Sequence, residues 1–401
     1  MGIGRWIEKR LPLGSFIYQH LSHYYAPKNL NFWYYFGSLS LLVLVNQIIS
    51  GIFLLMYYVP TAEGAFASVE FISREVQYGW LIRYLHTTGA SAFFIVIYLH
   101  MFRALMYGSY RKPRELLWLI GMLLFILLMA EAYTGYVLPW GQMSFWAAKV
   151  ILSLFSTIPY IGDSLVVWLQ GDFVVSGVTL HRFFSFHVVL FPLVLIGSVF
   201  LHLLALHSVG SNNPDGVEIY DNVDAKGVPL DGIPFHPYYT VKDLFGAMVF
   251  LFLFLAVVFY APTFWGYFIE PENYMESNPL VTPSLIKPVW YFSSYYAILR
   301  AIPSKSLGAF LMLMSVVILF AIPWLDRSRV KSIRYKGIFS RIGLVAFTVS
   351  FLGLMAVGTM PATGVYLILA RILTVIYFLC FILMPFYTRV EKCKKPPSRL
   401  T

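Results

Sequence analysis

The stretch Arg83–Arg103, RYLHTTGASAFFIVIYLHMFR, decides the fold of this chain. It is an apolar run that places His86 and His100 fourteen residues apart. At about 1.5 Å and about 100° per residue, fourteen residues advance roughly 21 Å along a helix and fall about 40° short of four turns. The two histidines therefore lie on one face of the helix, at two depths of a membrane.

A second apolar stretch, FHVVLFPLVLIGSVFLHLLALH at Phe186–His207, places His187 and His202 fifteen residues apart. If the two helices lie side by side, each depth holds one imidazole from each helix. This pattern is typical of a four-helix bundle with two haems, each iron held by two histidines. A proton pathway or a transition-metal site is the alternative. Two matched pairs favour haem, because each buried polar group without a partner costs free energy.

The composition is that of an integral membrane protein. Hydrophobic residues make up 59% of the chain and charged residues 12%, and the mean hydropathy is +0.71. No ordinary soluble domain has these values. The two cysteines, Cys380 and Cys393, cannot form a disulfide scaffold, and there is no CxxCH motif for covalent haem attachment. The net charge of +10 is concentrated in loops and tails, so it indicates membrane topology rather than nucleic-acid binding.

We predict an all-α polytopic membrane protein of eight transmembrane helices, with a dihaem four-helix bundle in the N-terminal half. The predicted spans are about 33–58, 79–107, 115–138, 178–207, 241–262, 306–325, 339–359 and 363–386. The predicted regions are an interfacial N-terminal segment (1–32), the bundle with outer roof helices at about 140–170 (33–210), a cytoplasmic loop (211–240), a C-terminal four-helix region (241–386) and a basic tail (387–401).

Lysine and arginine indicate which side the loops face. The N-terminus, RKPR at 111–114, the loop 326–341 and the tail 389–399 are basic, whereas the opposite loops contain few basic residues. Both termini are therefore expected on the cytoplasmic side, or on the matrix side of an organelle. The loop 208–240 should lie on the same side although it is acidic, and acidic residues count little in this rule.

Four glycines repeat the histidine interval. Gly37 and Gly51 are fourteen apart in the first span, and Gly121 and Gly135 are fourteen apart in the third. A flat macrocycle against a helix needs a position without a side chain, so two haems require a glycine at each depth. Helix packing through small residues is the alternative.

Three arginines lie close in sequence to the histidines. Arg83 and Arg182 are near one pair, and Arg103 follows His100. Haem carries two propionates, and a buried carboxylate requires a permanently charged, bidentate partner. Snorkelling to lipid headgroups is the alternative.

Two segments have the character of interfacial roofs. Residues 136–169 are too broken by proline and glycine to span a membrane and too apolar to be solvated, and residues 282–303 are similar. Both belong to the same side of the membrane. They predict a site for an apolar ligand that opens towards the lipid.

Motifs along nearly the whole chain resemble the cytochrome b family, the dihaem membrane subunit of respiratory cytochrome bc complexes (ubiquinol–cytochrome c oxidoreductase). The motifs are NFWYYFGS at 31–38, YGWLIRYLHTTGAS at 78–91, GYVLPWGQMSFW at 135–146, HSVGSNNPDG at 207–216, FHPYYTVKD at 235–243 and KPVWYF at 287–292. The resemblance implies quinol oxidation at an outer site. One electron would pass to a Rieske iron–sulfur protein and onward to cytochrome c, and the other through two b-type haems to a quinone at an inner site.

The resemblance also implies the setting of the reaction. It implies non-covalent haems, ubiquinone or a related quinone, a cytochrome c1-type subunit, membrane lipid, proton translocation by a Q cycle and a homodimeric complex. A bacterial inner membrane is favoured over the mitochondrial one. The chain is expected to be an enzyme only as the catalytic core of this complex, because it contains no iron–sulfur or c-type haem ligands of its own.

By the same resemblance, His86 and His187 hold the outer haem, and His100 and His202 hold the inner haem. The inner quinone site would contain four residues that match the family, namely His207, Ser211, Lys242 and Asp243. A histidine and an aspartate are suited to delivering two protons to a quinone as it is reduced. A structural salt bridge with interfacial anchors is the alternative.

The outer site departs from the family in one motif. The family's PEWY is Pro288-Val289-Trp290-Tyr291 here, so the glutamate thought to accept a quinol proton is absent. The tyrosine that aligns with another outer-site residue, Tyr296, is retained.

We expect Glu131 to accept the outer-site proton instead. It lies inside the third span, one turn before Gly135, and an ionisable residue in a membrane helix is a functional candidate. Glu272, Glu276 or a route through tyrosine and water are the alternatives.

Two further departures predict local differences. Ala147 replaces the glycine usual in mitochondrial relatives, which predicts weak sensitivity to strobilurin-type outer-site inhibitors. The second histidine pair is spaced fifteen rather than the fourteen usual in respiratory relatives. Pro192, five residues after His187, is expected to host a bulge that absorbs the extra residue.

Two other classes of protein compete with this interpretation. The dihaem membrane anchor of a dehydrogenase would share the histidine-bearing helices, but it is usually shorter and lacks the roof segments. A transporter without cofactor would explain the spans and Glu131, but not the paired histidines and glycines.

Overall fold

The computed structural model describes residues 24–398 together with residues 6 and 9. The interfacial segment predicted for 1–32 therefore lies largely outside the described residues. The helices of the N-terminal half are α1 (Tyr35–Leu55), α2 (Ala65–Arg74), α3 (Gly79–Tyr107), α4 (Glu115–Val137), α5 (Gln142–Phe155), α6 (Gly162–Gln170), α7 (Gly177–Ser185) and α8 (Phe191–Val209). Those of the C-terminal half are α9 (Tyr238–Tyr260), α10 (Ser293–Ala301), α11 (Lys305–Phe320), α12 (Ile322–Leu325), α13 (Ile338–Gly358), α14 (Gly364–Ile382) and α15 (Met384–Val390).

Two short strands, β1 (Tyr25–Pro27) and β2 (Gly232–Pro234), form an antiparallel pair. Tyr25 lies opposite Pro234 in this pair. The pairing joins the chain just before α1 to the chain just before α9.

Membrane-spanning helices dominate the fold, as predicted. Among the described residues, seven segments are long and apolar enough to cross a membrane, namely α1 with the turn before it, α3, α4, α7 to α8, α9, α13 and α14. The predicted eighth span is α11, which has 16 residues. At about 1.5 Å per residue it is shorter than the roughly 30 Å hydrocarbon core. Pro323 cannot donate the backbone hydrogen bond that would extend α11 directly, so the exact count of eight is not confirmed.

The join between α7 and α8 contains the bulge expected beside Pro192. Residues Phe186–Leu190 form a π-helical turn, in which the Phe191 N–H donates to the Phe186 carbonyl five residues earlier. Proline at 192 has no N–H for a regular α-helical bond. A π turn inserts one residue into the helix, so the interval of fifteen from His187 to His202 acts as fourteen.

The acidic loop between α8 and α9 packs against the basic loops. Arg114, which is 3% exposed, donates two hydrogen bonds of 2.5 and 2.8 Å to the Glu218 carboxylate. Lys331 binds the same carboxylate, and Arg334 lies 3.1 Å from Asp215. These ion pairs place the acidic loop on the same face of the protein as the loops at 111–114 and 326–341, as the topology prediction requires.

Candidate functional site

Four histidines form two facing pairs inside the N-terminal bundle. The ring centres of His86 and His187 are 6.0 Å apart, and those of His100 and His202 are 6.5 Å apart. A metal between two imidazoles, with metal–nitrogen bonds of about 2 Å each, requires roughly 6 Å between ring centres. Both pairs therefore have the separation that bis-histidine ligation of a haem iron needs.

The outer pair is oriented through its Nδ1 atoms. His86 Nδ1 is 2.9 Å from the Ser50 hydroxyl, and His187 Nδ1 is 2.9 Å from the carbonyl oxygen of Glu131. A partner at one ring nitrogen fixes the ring and leaves the other nitrogen for a metal. Nε2 is therefore the ring nitrogen that each of these histidines has left for a metal.

Helix packing explains why the glycines share the histidine interval. Helix α1 packs against α3, and α4 packs against α8. A Cβ atom built on each of the four glycines would meet Cε1 of one histidine: 3.3 Å for Gly37 and His100, 3.1 Å for Gly51 and His86, 3.2 Å for Gly121 and His202, and 2.3 Å for Gly135 and His187. The glycines thus make room for the imidazoles themselves, which a larger residue would push towards the haem position.

The three arginines differ in their surroundings. Arg83 donates to the Ser73 hydroxyl at 2.7 Å, and Arg182 donates to the Trp168 carbonyl. Arg103 is different, because its Nε is buried with no hydrogen-bond partner within residues 24–398. A buried guanidinium with an unused donor fits an anionic group such as a haem propionate.

The ligand set fits haem better than a bare metal ion. Within the described part of the chain, no three His, Cys, Asp or Glu side chains group together as a metal cluster would require. Two opposed imidazoles, with a buried arginine whose Nε has no partner among the described residues, fit a haem with its propionates.

Glu131 lies beside a histidine of the outer pair. Its Oε1 is 3.2 Å from His187 Nδ1, and its Oε2 has no hydrogen-bond partner among the described residues. The carboxylate is therefore directed at the back of a candidate ligand. Its expected role as outer-site proton acceptor stays a prediction.

The two roof segments are joined at the end of α4. The Gln142 N–H donates to the Met275 carbonyl at 2.9 Å, and the Ser144 N–H donates to Asn273 Oδ1 at 2.8 Å. Gly141 forms a bridge with Glu276. Helix α5 is thereby fixed to residues 270–281, which lead into the second roof segment.

The PVWY motif at 288–291 packs against α3. Trp290 Nε1 donates to the Ser91 hydroxyl at 3.1 Å, and the Tyr291 ring stacks on Phe94 with centres 4.0 Å apart. Val289 is 2% exposed and belongs to the central hydrophobic core. The position that carries glutamate in relatives is thus a buried apolar contact here.

Other expected outer-site residues flank this motif. Pro288 is partly buried, and Ala147 on α5 is buried. The Tyr296 hydroxyl donates to the Ile286 carbonyl at 2.9 Å, and the Arg300 guanidinium lies 4.4 Å above the Tyr296 ring. These contacts fix the Tyr296 ring at the start of α10.

The expected inner-site residues lie where β1, α8 and α9 end or begin. The Tyr24 hydroxyl is 3.1 Å from the Ser211 hydroxyl, and the Tyr24 ring centre is 4.6 Å from that of His207. Tyr24 therefore joins two residues that the sequence had assigned to one site.

The remaining two inner-site residues lie on the first turns of α9. Lys242 Nζ lies 5.2 Å from the ring centre of Tyr239, and the Asp243 carboxylate lies close to the Ser38 side chain at the start of α1. The Tyr239 hydroxyl donates to the Pro27 carbonyl at 2.5 Å, which ties α9 to β1.

Sequence reasoning missed three polar residues around these sites: Tyr24, Ser50 and Glu270. Ser50 immediately precedes Gly51, which was already expected to lie beside a haem. This neighbour in sequence was the available signal that Ser50 lies close to His86. Glu270 is 1% exposed and its Oε2 accepts a 2.9 Å hydrogen bond from Tyr136, 134 positions earlier in the chain. No spacing in the sequence indicates that contact.

Comparison with known proteins gives a consistent result. The family models "Cytochrome b/b6/petB" and "Cytochrome b(C-terminal)/b6/petD" match residues 21–210 and 276–378. The chain is 55% identical to cytochrome b of Allochromatium vinosum, over 99% of this chain and 97% of that protein. It is 44% identical to cytochrome b/c1 of Bradyrhizobium diazoefficiens, over 99% of this chain and 56% of that protein.

A solved structure titled "Hyperthermophilic respiratory Complex III" has the same fold. The similarity has a TM-score of 0.90 at 36% sequence identity, and it covers 97% of this chain and 99% of the other. The overlap includes both the histidine-bearing half and the second half of the chain.

Proposed function

The chain belongs to the cytochrome b family, and we propose that it is the membrane-embedded catalytic core of a quinol–cytochrome c oxidoreductase of the complex III type. The observation that carries this proposal is the pair of opposed imidazoles at each of two depths, 6.0 and 6.5 Å apart. The similarity to cytochrome b also covers the second half of the chain. A dehydrogenase anchor subunit or a transporter would not be expected to match cytochrome b there.

We assign the haem ligands by depth. His86 and His187 hold the outer haem, and His100 and His202 hold the inner haem, with about 21 Å of helix between the two levels. A haem at each level supplies one-electron transfer across the membrane. The unsatisfied Nε of Arg103 supports a propionate contact at the inner level, and Arg83 and Arg182 are assigned to the outer level.

Quinol oxidation is assigned to the outer roof and quinone reduction to the inner face. The joined roof segments, with PVWY at 288–291, Ala147 and Tyr296, form the outer site. His207, Ser211, Lys242 and Asp243 form the inner site. Electrons would divide between a Rieske protein and the inner site, in a Q cycle that moves protons across the membrane. The outer-site residues and the inner-site residues lie at opposite ends of the histidine-bearing helices, which supports this assignment of two quinone sites.

The proposed partners follow from the relatives. A relative named cytochrome b/c1 supports association with a cytochrome c1-type subunit, because one chain there carries both names. The match to a respiratory complex III supports a Rieske protein as a partner. A homodimeric assembly is proposed from the family resemblance alone. We place the complex in a bacterial inner membrane in contact with lipid, with both termini on the cytoplasmic side, because the basic loops share one face.

The function is tested with the purified membrane complex. Quinol-dependent reduction of cytochrome c, with the b-type spectrum present, is the expected result. At the inner site, Asp243→Asn and His207→Gln should slow the reoxidation of the b haems by quinone at least about tenfold, because proton delivery to the reduced quinone is lost. Asp221→Asn, an exposed residue in the loop before α9, is the matched control and should leave this rate unchanged. Inner-site rates equal to that control would refute the assignment.

A further inference from the structure

A buried carboxylate that the sequence did not indicate, Glu270, lies at the outer roof. Glu270 is 1% exposed, at the start of the turn Pro271–Tyr274 that follows α9. Its Oε2 accepts a 2.9 Å hydrogen bond from the hydroxyl of Tyr136, on the last turn of α4. A carboxyl group so deeply buried is costly to ionise, so its position is informative about what it contacts.

The charged and polar groups around Glu270 come from three parts of the outer site. Tyr136 approaches from α4, Glu272 from the turn that follows, and Lys287 from the segment just before PVWY. Tyr291 of PVWY is near enough for the charge of Glu270 to raise the pKa of its phenol further, in addition to burial. Glu270 is therefore within electrostatic reach of the motif that has lost its own carboxylate.

Neither Val289 nor Glu131 has the same surroundings as Glu270. Val289 is a buried core residue and cannot accept a proton. Glu131, on the same helix as Tyr136, is directed towards His187 Nδ1 at 3.2 Å. Of these three residues, only Glu270 pairs a carboxylate with a hydroxyl group at the end of α4.

We propose that Glu270 is the proton-accepting carboxylate of the outer quinol site, and that Tyr136 transfers the proton to it. The inference rests on the proposed quinol oxidation. It names a residue that replaces the glutamate missing from PVWY and that the sequence did not indicate.

The proton transfer balances in one concerted step. The quinol O–H bond breaks and its proton binds the Tyr136 oxygen, while the Tyr136 hydroxyl proton moves to Glu270 Oε2, so that tyrosine is unchanged. The two electrons of the quinol would leave separately, one to the iron–sulfur partner and one to the haem that His86 and His187 would hold. The second proton leaves with the electron that goes to the iron–sulfur partner.

The proton affinity of Glu270 suits this role. Burial, opposed by the hydrogen bond from Tyr136 and by the charge of Lys287, raises the pKa of Glu270 to about 7. A base is most effective when its pKa is near the working pH, because about half of it is then ionised and it still binds a proton well.

The test measures quinol-dependent cytochrome c reduction by the whole complex between pH 5.5 and 9, with the pH range set around the Glu270 pKa of about 7. We expect Glu270→Gln to lower kcat at least about tenfold with little change in KM, and to abolish the rise in rate through neutral pH. Tyr136→Phe should lower kcat in the same way. Glu75→Gln, an exposed glutamate after α2, is the matched control and should retain the full rate.

A rescue experiment separates a proton acceptor from a structural contact. Val289→Glu in the Glu270→Gln background restores a carboxylate at the family position and should recover most of the lost kcat. Glu270→Asp, which retains the carboxyl group, should keep the pH-dependent rise at a lower rate, and it serves as the second variant if Glu270→Gln does not assemble.

The outcomes that would overturn the inference are distinct from those that concern the function. A Glu270→Gln complex with the wild-type kcat and pH profile would overturn the assignment of Glu270. Loss of activity in Glu131→Gln or Glu272→Gln, with Glu270→Gln active, would transfer the role to those residues. Absence of quinol-dependent cytochrome c reduction by the wild-type complex would instead overturn the proposed function.

Discussion

Gly135→Ala is the substitution that should remove one haem and leave the other. The added Cβ would lie 2.3, 2.7 and 2.9 Å from three ring atoms of His187. Ordinary van der Waals contact begins at 3.4 Å, so the imidazole would have to retreat by about 1.1 Å. His187 is held at Nδ1 by the Glu131 carbonyl at 2.9 Å, which restricts such a retreat on the side of α4.

The size of the displacement decides the outcome. Metal–ligand distances tolerate deviations of only about 0.2 Å, and even a misplaced supporting group costs about 10–100-fold in metal affinity. A ring displaced by about 1 Å should therefore fail to hold the outer haem. The other three glycines leave 3.1 to 3.3 Å, so alanine at Gly37 should shift His100 by a few tenths of an ångström and retain the inner haem.

The assay is a redox-titrated optical spectrum of the purified complex with haem quantified per chain. Gly135→Ala should contain one b-type haem, and Gly37→Ala should contain two. Gly197→Ala on α8 is the matched control, because nothing lies within 4 Å of its added Cβ. Two haems in Gly135→Ala, with both midpoint potentials unchanged, would refute the assignment of Gly135 to the space behind His187.

Three further predictions follow from other sites. Ala147→Gly should increase inhibition of quinol oxidation by a strobilurin, because it removes a buried methyl group from α5; unchanged inhibition would contradict the steric argument. Arg114→Ala should lower the free energy of unfolding by about 3 kcal/mol, because the Glu218 carboxylate then keeps only Lys331 as an ion-pair partner. A thermal unfolding curve that matches that of the wild type would contradict this prediction. Quinol oxidation should accelerate as pH rises through about 7, since Glu270 accepts a proton only when ionised, above its pKa of about 7; a rate that falls over that range would contradict it.

The sequence predicted well those features in which residues repeat with the period of an α-helix. Histidines fourteen apart on one apolar run must share a face, and glycines at the same interval must follow them at matching depths. The structure shows His86 facing His187, and it places the glycines against the imidazole rings; their role beside a macrocycle stays a prediction. The bulge beside Pro192 was predictable for the same reason, because an extra residue and a missing N–H occur together.

The features that the sequence did not predict depend on distant contacts. Glu270 and Tyr136 are 134 positions apart, and only the joining of the two roof segments brings them together. Glu131 was identified as an ionisable residue in a span, but its direction towards His187 depends on how α4 packs on α8. The predicted span 306–325 divides into α11 and the short α12, because Pro323 cannot donate the backbone hydrogen bond of a continuous helix.

The central claim is that this chain holds two haems in series between two quinone sites. The most direct test is a redox titration of the b-type spectrum of the wild-type complex, with haem per chain and reoxidation measured in the presence of an inner-site inhibitor. We expect two b haems per chain at separate midpoint potentials, with their reoxidation blocked by the inhibitor. One haem or none, or reoxidation that the inhibitor does not slow, would contradict it.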